Sequence, residues 1–409
     1  MSGAFGMSSG ELLAVDVPPG PAWVGVVHRC WSEGVAFLPL DPRWTTTERR
    51  RVMDLAQPAA VLDAGGDVTV FGGAAPVAPG VALVMATSGT SAAPKLAESS
   101  REAVEAAVAG SVDALAADLD SATTGPWVCC LTPAHVGGLL VLLRGEVTGA
   151  RVVAQPRFDP AVVVRVLRET APASVSLVPA MLAQVVEHAA GLPGGPRGGL
   201  HGATLLVGGG SVDPSVAQRA RDMGARVVTT YGMTETCGGV VYDGVPFAGT
   251  EVRIVAGREP AVELRGPTLF SGYRGDPGAT GSAFDSKGWF RTRDLGTLGD
   301  DGTLVVLGRA DDAIRTGGET VWPDEIERII LSHSGVRDIA VTGRPHATWG
   351  QEVVAFIVPT DPANPPDGDE LKAWVRDRAA SFKAPRRTEL VASIPRTPSG
   401  KVIRRDLPA

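Results

Sequence analysis

The chain is expected to be an α/β protein, with a large N-terminal α/β domain of layered sheets plus a β-rich part, and a small mobile α+β C-terminal domain. Three observations carry that expectation. Short apolar runs alternate with amphipathic stretches over residues 20–330. The pattern shifts toward short strands and glycine turns after residue 240. A compact α+β pattern then follows residue 310. Alternation of strand and helix signals argues for layered sheets with largely parallel strands.

The elements follow in order. VALVMA (81–86), WVCCL (127–131), ASVSLVP (173–179), ATLLVGG (203–209) and ARVVTTY (225–231) read as buried strands. SREAVEAAVAGSVDALAADL (100–119) and DPSVAQRARDMG (213–224) read as helices between them. VRIVAG, AVELRG and GTLVVLG read as a β-meander with glycine turns. Beyond it come a helix in PDEIERIILSHSG (323–335), strands in IAVTGR and VVAFIVP, and a helix in DELKAWVRDRAASF (369–382). The expected domains are 1–310 and 311–409, with a hinge at Asp311.

A length of 409 residues suits one large and one small domain better than a single core. The net charge of −7 gives no electrostatic footprint for nucleic acid. The first twenty residues lack the basic start and apolar run of a signal peptide. No apolar stretch reaches the roughly 18 residues that span a bilayer. The four cysteines form no C-x-x-C pair, so a reducing cytoplasm is the expected setting. Only five of the 38 basic residues are lysine, namely Lys95, Lys287, Lys372, Lys383 and Lys401. A lysine inside a motif is therefore informative here, because a compact ammonium and a planar guanidinium do different work.

Four segments carry chemistry. TSGTSAAPK (87–95) follows a strand and supplies hydroxyls from Thr87, Ser88, Thr90 and Ser91, a close-approach glycine at Gly89, and Lys95. Such a run suits a polyphosphate, although it lacks Walker A spacing and reads also as a polar turn. In TTYGMTET (229–236), Tyr231 can lie near a base, Gly232 permits a tight turn, Thr234 offers a hydroxyl and Glu235 can hold Mg²⁺. The same residues read equally as a core tyrosine and a solvated carboxylate. In GWFRTRDLGTLGDDGTLVVLGRADDAIRTGG (288–318), Asp294 can accept from ribose hydroxyls and Arg309 can meet phosphate or ribose oxygens. Asp311–Asp312 followed by Gly317–Gly318 suggests a hinge and a mobile loop. Near the end, PRTPSGKVIRRDL (395–407) places Lys401 after a Pro/Ser/Gly loop.

These four segments, in this order and spacing, resemble the adenylate-forming superfamily of acyl-CoA synthetases, peptide-synthetase adenylation domains and luciferases. The resemblance covers nearly the whole chain. PAHVGGLLVLLRG (133–145), LVGGGSVDP (206–214) and YGMTETCGGVVYDGVPFAGTEVRI (231–254) are most similar to compact o-succinylbenzoate–CoA ligases of menaquinone biosynthesis. The phosphate loop departs from the usual TSGTTGxPKG at Ala92 and Leu96, and Arg293 stands where a glycine is usual.

The resemblance implies ATP, Mg²⁺ and coenzyme A as reaction partners, with acyl-AMP as intermediate. It implies nucleotide contacts from residues 87–91, Lys95, Gly209, Gly210, Tyr231, Gly232, Met233, Thr234, Asp294, Arg309 and Lys401. Lys401, Glu235, Thr234 and Lys95 would be catalytic, with Glu235 on the metal. Lys401 would bridge carboxylate and α-phosphate in the first step and leave when the small domain rotates. The acyl pocket would be built from His135, Gly138, Arg144, Ser176 and Gly208. Arg144 is a possible partner for a second carboxylate, or else a helix-end cation favoured by the backbone dipole. His135 is a gate to the acyl channel or a satisfied structural histidine. Another aryl- or acyl-CoA ligase, a stand-alone adenylation enzyme loading a carrier protein, and a binding protein on a decayed scaffold are the competing readings. A homodimer is compatible with all of them.

Overall fold

The computed structural model describes residues 5–8, 10–87, 94–116, 125–193, 199–255, 257, 260–397 and 402–408. Two seven-stranded sheets dominate the first three quarters of the chain. In the first sheet, Leu12–Val15, Ala36–Pro39, Ala60–Leu62 and Val81–Thr87 run parallel. Lys95–Ser100 folds back antiparallel on Val81–Thr87, with Thr87 opposite Lys95. In the second sheet, Trp127–Cys129, Val152–Ala154, Ala173–Leu177, Ala203–Gly208 and Arg226–Met233 are parallel. Gly238–Tyr242 then returns antiparallel along Arg226–Met233.

Helices Ala22–Glu33, Arg101–Ala116 and Val136–Thr148 share one continuous core with residues from both sheets, including Leu13, Phe37, Leu206 and Val228. The helix Val136–Thr148 is apolar almost all round, and Gly138 through Gly145 are all buried, as a helix enclosed between layers must be. Helices Pro160–Glu169, Pro179–Ala190 and Pro214–Asp222 pack in a separate cluster with Val175, Leu205 and Val227 of the second sheet. Each begins with proline in its first turn, where a missing N–H costs nothing. Asp159 and Asp213 cap two of them through their carboxylates.

A four-stranded antiparallel sheet, Glu251–Val255, Ala261–Arg265, Phe290–Leu298 and Leu304–Arg309, is the β-rich part. Its residues Val262, Leu264 and Leu304 join the central core. A fourth sheet is built wholly from residues 314–390 and has its own apolar cluster with helices Pro323–Leu331 and Gly368–Arg376. The last helix stops at Arg376 rather than running to 382 as its pattern suggested, and Ser381–Lys383 forms a separate 3₁₀ turn. Among the described residues no helix is long and apolar enough to cross a membrane.

Candidate active site

One cleft is lined by the ends of the second sheet, the start of helix 136–148, the β-rich sheet and residues of the C-terminal part. It gathers Thr87, Lys95, His135, Gly138, Arg144, Ser176, Gly208, Gly209, Gly210, Tyr231, Gly232, Met233, Thr234, Glu235, Asp294 and Arg309. Ser88, Gly89, Thr90, Ser91 and Lys401 lie outside the described residues. Asp311 sits beside the cleft, in the 3₁₀ turn Ala310–Asp312. Its carboxylate is 3.5 Å from Arg293, which holds a positive φ of 64°.

The turn at 232–238 explains one part of the motif. Strands 226–233 and 238–242 pair antiparallel with a register shift at Gly232, where an added Cβ would lie 1.9 Å from the Gly238 carbonyl oxygen. Thr236, fully buried, accepts from the Met233 amide at 2.9 Å and donates to the Gly238 carbonyl at 2.6 Å. That tie leaves Thr234 and Glu235 on the exposed side of a 3₁₀ turn facing the cleft. Tyr273 donates its hydroxyl to Glu235 Oε1 at 2.8 Å, and Lys95 Nζ stands 4.6 Å from the centre of the same ring. Burial, then the Glu235 charge, pushes the Tyr273 phenol well above its ordinary value. Tyr273 thus stays a neutral donor that links the loop lysine to the turn carboxylate.

Across the cleft Tyr231 donates to Asp294 Oδ2 at 2.8 Å, and the Asp294 amide donates to Thr292 at 3.0 Å. Asp294 and Arg309 face each other across paired strands, with Arg309 Nε 3.7 Å from Asp294 Oδ1. Arg309 Nε is buried and makes no hydrogen bond among the described residues. Burial, and next the Asp294 charge, raises the Tyr231 phenol well above its usual range, so this hydroxyl also keeps its proton.

The opposite end of the cleft is the inner wall of the 136–148 helix. Gly138 is required there, since a Cβ would stand 2.3 Å from the Thr132 carbonyl oxygen. Gly208 is equally tight against Thr230, at 2.3 Å. Arg144 is not an exposed helix-end cation, because it is only 4% exposed and points inward. Its Nε donates to Ser111 Oγ at 3.0 Å and its Nη2 to Tyr242 Oη at 3.0 Å. Its guanidinium carbon lies 4.7 Å over the Trp127 ring. Among the described residues no carboxylate comes within ion-pair distance of it. At the mouth, His135 Nε2 is 3.0 Å from Arg43 Nη2, and Arg43 is clamped by the buried Asp41 at 2.8 and 2.6 Å. Hydrogen bonds from Arg43 hold the Asp41 carboxyl below its ordinary value against the opposing effect of burial.

Sequence reasoning missed Tyr273, Tyr242, Ser111 and the Asp41–Arg43 pair. One signal was available. The chain has only three tyrosines, and all three line this cleft.

Two family models match this chain: AMP-binding enzyme over residues 67–274, and AMP-binding enzyme C-terminal domain over residues 325–401. The chain belongs to the AMP-binding enzymes. It is an AMP-forming acid–thiol ligase of that family. A probable 2-succinylbenzoate–CoA ligase of Mycobacterium tuberculosis is 38% identical over 331 residues, 79% of this chain and 83% of that protein. The 2-succinylbenzoate–CoA ligase of Bacillus licheniformis is 28% identical, over 99% of this chain and 90% of that one. The o-succinylbenzoate CoA synthetase of Bacillus subtilis, solved with its acyl-adenylate, superposes with a TM-score of 0.82 at 25% identity, covering 98% of this chain and 89% of that one. The amide bond synthetase McbA of Marinactinospora thermotolerans superposes with a TM-score of 0.83 at 27% identity, covering 98% of this chain and 90% of that one.

Proposed function

We propose that the chain is an o-succinylbenzoate–CoA ligase that works through an acyl-AMP. The observation that carries the choice of acid is Arg144. A guanidinium stays protonated in proteins, and a buried charge without an anion is expensive. Here its protein partners are two neutral hydroxyls and an aromatic face. An acid with a second carboxylate supplies the missing charge, and three of the four relatives described above are named for such an acid.

The chemistry follows from the two ends of the cleft. The substrate carboxylate oxygen attacks the α-phosphorus of ATP, and the bond to pyrophosphate breaks. A thiol sulfur then attacks the acyl carbon, the bond to AMP breaks, and the thiol proton is released. Little of this needs covalent help, so positioning and electrostatics dominate. Tyr231, Asp294 and Arg309 hold the nucleoside side, and Thr87, Thr234 and Lys95 serve the phosphates. The Glu235 carboxylate is the fitting holder for Mg²⁺, which takes one or two carboxylates besides phosphate oxygens and would neutralise the phosphate charge. Lys401 is assigned to the first step only. The division into 1–310 and 311–409 with rotation at Asp311 would exchange the two steps. The separate core of the fourth sheet supports that division. Soluble substrates and four free, buried cysteines suit a cytoplasmic reaction.

The test is pyrophosphate release with ATP and Mg²⁺ over o-succinylbenzoate, benzoates and fatty acids, each with CoA or with a carrier-borne phosphopantetheine thiol. Preference for o-succinylbenzoate with CoA supports the assignment. Preference for another acid, or for the carrier thiol, moves the substrate and leaves the ligase chemistry.

A further inference from the structure

The buried cation at the inner end of the acyl cleft does not stand alone. Ser111 Oγ and Tyr242 Oη, which both accept from Arg144, are also 2.9 Å from each other. Between these two hydroxyls there are two hydrogens, and only one can lie in the bond that joins them. Ser111 is fully buried on helix 101–116 and does not reach the cleft, whereas Tyr242 and Arg144 both line it. When Ser111 donates to Tyr242, the phenol's own hydrogen is left for an acceptor inside the cleft. The alternative leaves a buried serine hydrogen to find another acceptor, which is the costlier arrangement.

The ring that carries this hydroxyl is held firmly. Phe247 packs edge-on against Tyr242, with centroids 4.8 Å apart at 70°. Gly239 makes room for it, since a Cβ there would stand 2.9 Å from Tyr242 Cε1. Gly110 makes room for Phe247, with a clearance of only 2.4 Å to a built Cβ. Two glycines and a phenylalanine therefore fix where the phenol points, as preorganised recognition requires.

We propose that Tyr242 is a specificity-determining residue that donates its hydroxyl hydrogen to the second carboxylate of the acid, beside Arg144. Ser111 is the positioning residue that orients that hydroxyl. This inference rests on the reading of Arg144 given under Proposed function and adds the neutral donor to it. A charge paired with one directed hydroxyl distinguishes a planar carboxylate from a neutral isostere better than a charge alone, because losing the acid leaves two buried donors unmet.

The experiment uses the full chain and three variants, Tyr242→Phe, Ser111→Ala and Arg144→Gln. Each is assayed for pyrophosphate release with o-succinylbenzoate and with its two analogues that each lack one carboxylate. The quantity read is the ratio of kcat/KM for the diacid to that for the better monoacid, split into KM and kcat. Tyr242→Phe should lower the ratio roughly tenfold, mainly through KM for the diacid, the size of one hydrogen bond to a charged group. Ser111→Ala should lower it less, about threefold, by freeing the phenol hydrogen to turn away. Equal losses on diacid and monoacid in Tyr242→Phe would mean that the residue merely supports the pocket, and the proposal falls. An unchanged ratio in Tyr242→Phe beside a collapsed ratio in Arg144→Gln would overturn the proposal and leave the choice of acid standing. An unchanged ratio in Arg144→Gln would overturn both.

Discussion

Arg404 offers the sharpest test of how the C-terminal part is held. Its Nη2 lies 3.0 Å from Asp324 and 2.9 Å from Glu327, its Nη1 lies 3.2 Å from Asp312, and its Nε donates to the Val341 carbonyl at 2.9 Å. One guanidinium thus faces three carboxylates. Burial pushes the Glu327 carboxyl up from 4.5 to about 7, with Arg404 opposing and Asp324 adding to the shift. Asp324 is raised in the same direction, again chiefly by burial. A carboxyl whose folded value is raised lends stability that is complete below pH 4.5 and lost as pH rises through about 7. For Glu327 that loss is on the order of 3 kcal/mol across the window. The C-terminal part should therefore be less stable at pH 8 than at pH 5.5. Among the described residues, Arg404→Met removes the only cation in contact with all three groups. At pH 8 this should cost about 3–5 kcal/mol, the penalty of stranding buried charge. At pH 5.5 the Glu327 carboxyl is mostly protonated, and the penalty should shrink toward the ~1 kcal/mol of an ordinary lost hydrogen bond. Hydrogen exchange of peptides spanning 323–345 reports this locally, since the Val341 amide donates to Glu327 at 2.8 Å. Loss of protection that is equal at both pH values, or larger at pH 5.5, would refute the electrostatic account.

Other consequences concern the nucleotide end. Gly232→Ala forces a methyl against the Gly238 carbonyl and should destabilise the turn by about 3 kcal/mol, the upper range for overpacking; retention of full ATP affinity by calorimetry would contradict this. Asp294→Asn should raise KM for ATP roughly tenfold while kcat changes little, because the acceptor for Tyr231 and for the ribose weakens together. A fall in kcat at unchanged KM would remove Asp294 from nucleotide binding. Lys401→Ala should abolish acyl-AMP formation yet still convert supplied acyl-AMP to thioester, and equal losses in both half-reactions would end that division of labour.

Much of the fold was legible because its signals are local. Four strands of the second sheet, Trp127–Cys129, Ala173–Leu177, Ala203–Gly208 and Arg226–Met233, lie in apolar runs of ordinary strand length, and prolines and aspartates mark where its outer helices begin. The residues assigned to the nucleotide were picked out because four segments occur together in one order, although each alone reads also as a turn or a core residue, and those that the structure describes line one cleft. The deep end of the cleft was not legible. Ser111, Trp127 and Arg144 come from three consecutive elements and Tyr242 from a strand 98 residues beyond Arg144, and the packing of helix 136–148 between two sheets brings them together. From the sequence Arg144 read more readily as a helix-end cation than as a carboxylate partner, since burial of a charge leaves no local trace. Tyr273 was missed for the same reason. Its position depends on Arg274, which is pinned to Glu98 and to the carbonyls of Ala56 and Ala75.

The central claim is that one cleft makes an acyl-AMP and then hands the acyl group to a thiol. The most direct measurement is a single-turnover reaction with ATP, Mg²⁺ and o-succinylbenzoate, quenched and read by mass spectrometry before and after CoA is added. The account predicts an enzyme-bound o-succinylbenzoyl-AMP without CoA, followed by its thioester and free AMP once CoA is present. Formation of thioester with ADP and phosphate, or no adenylate at any time, would contradict it.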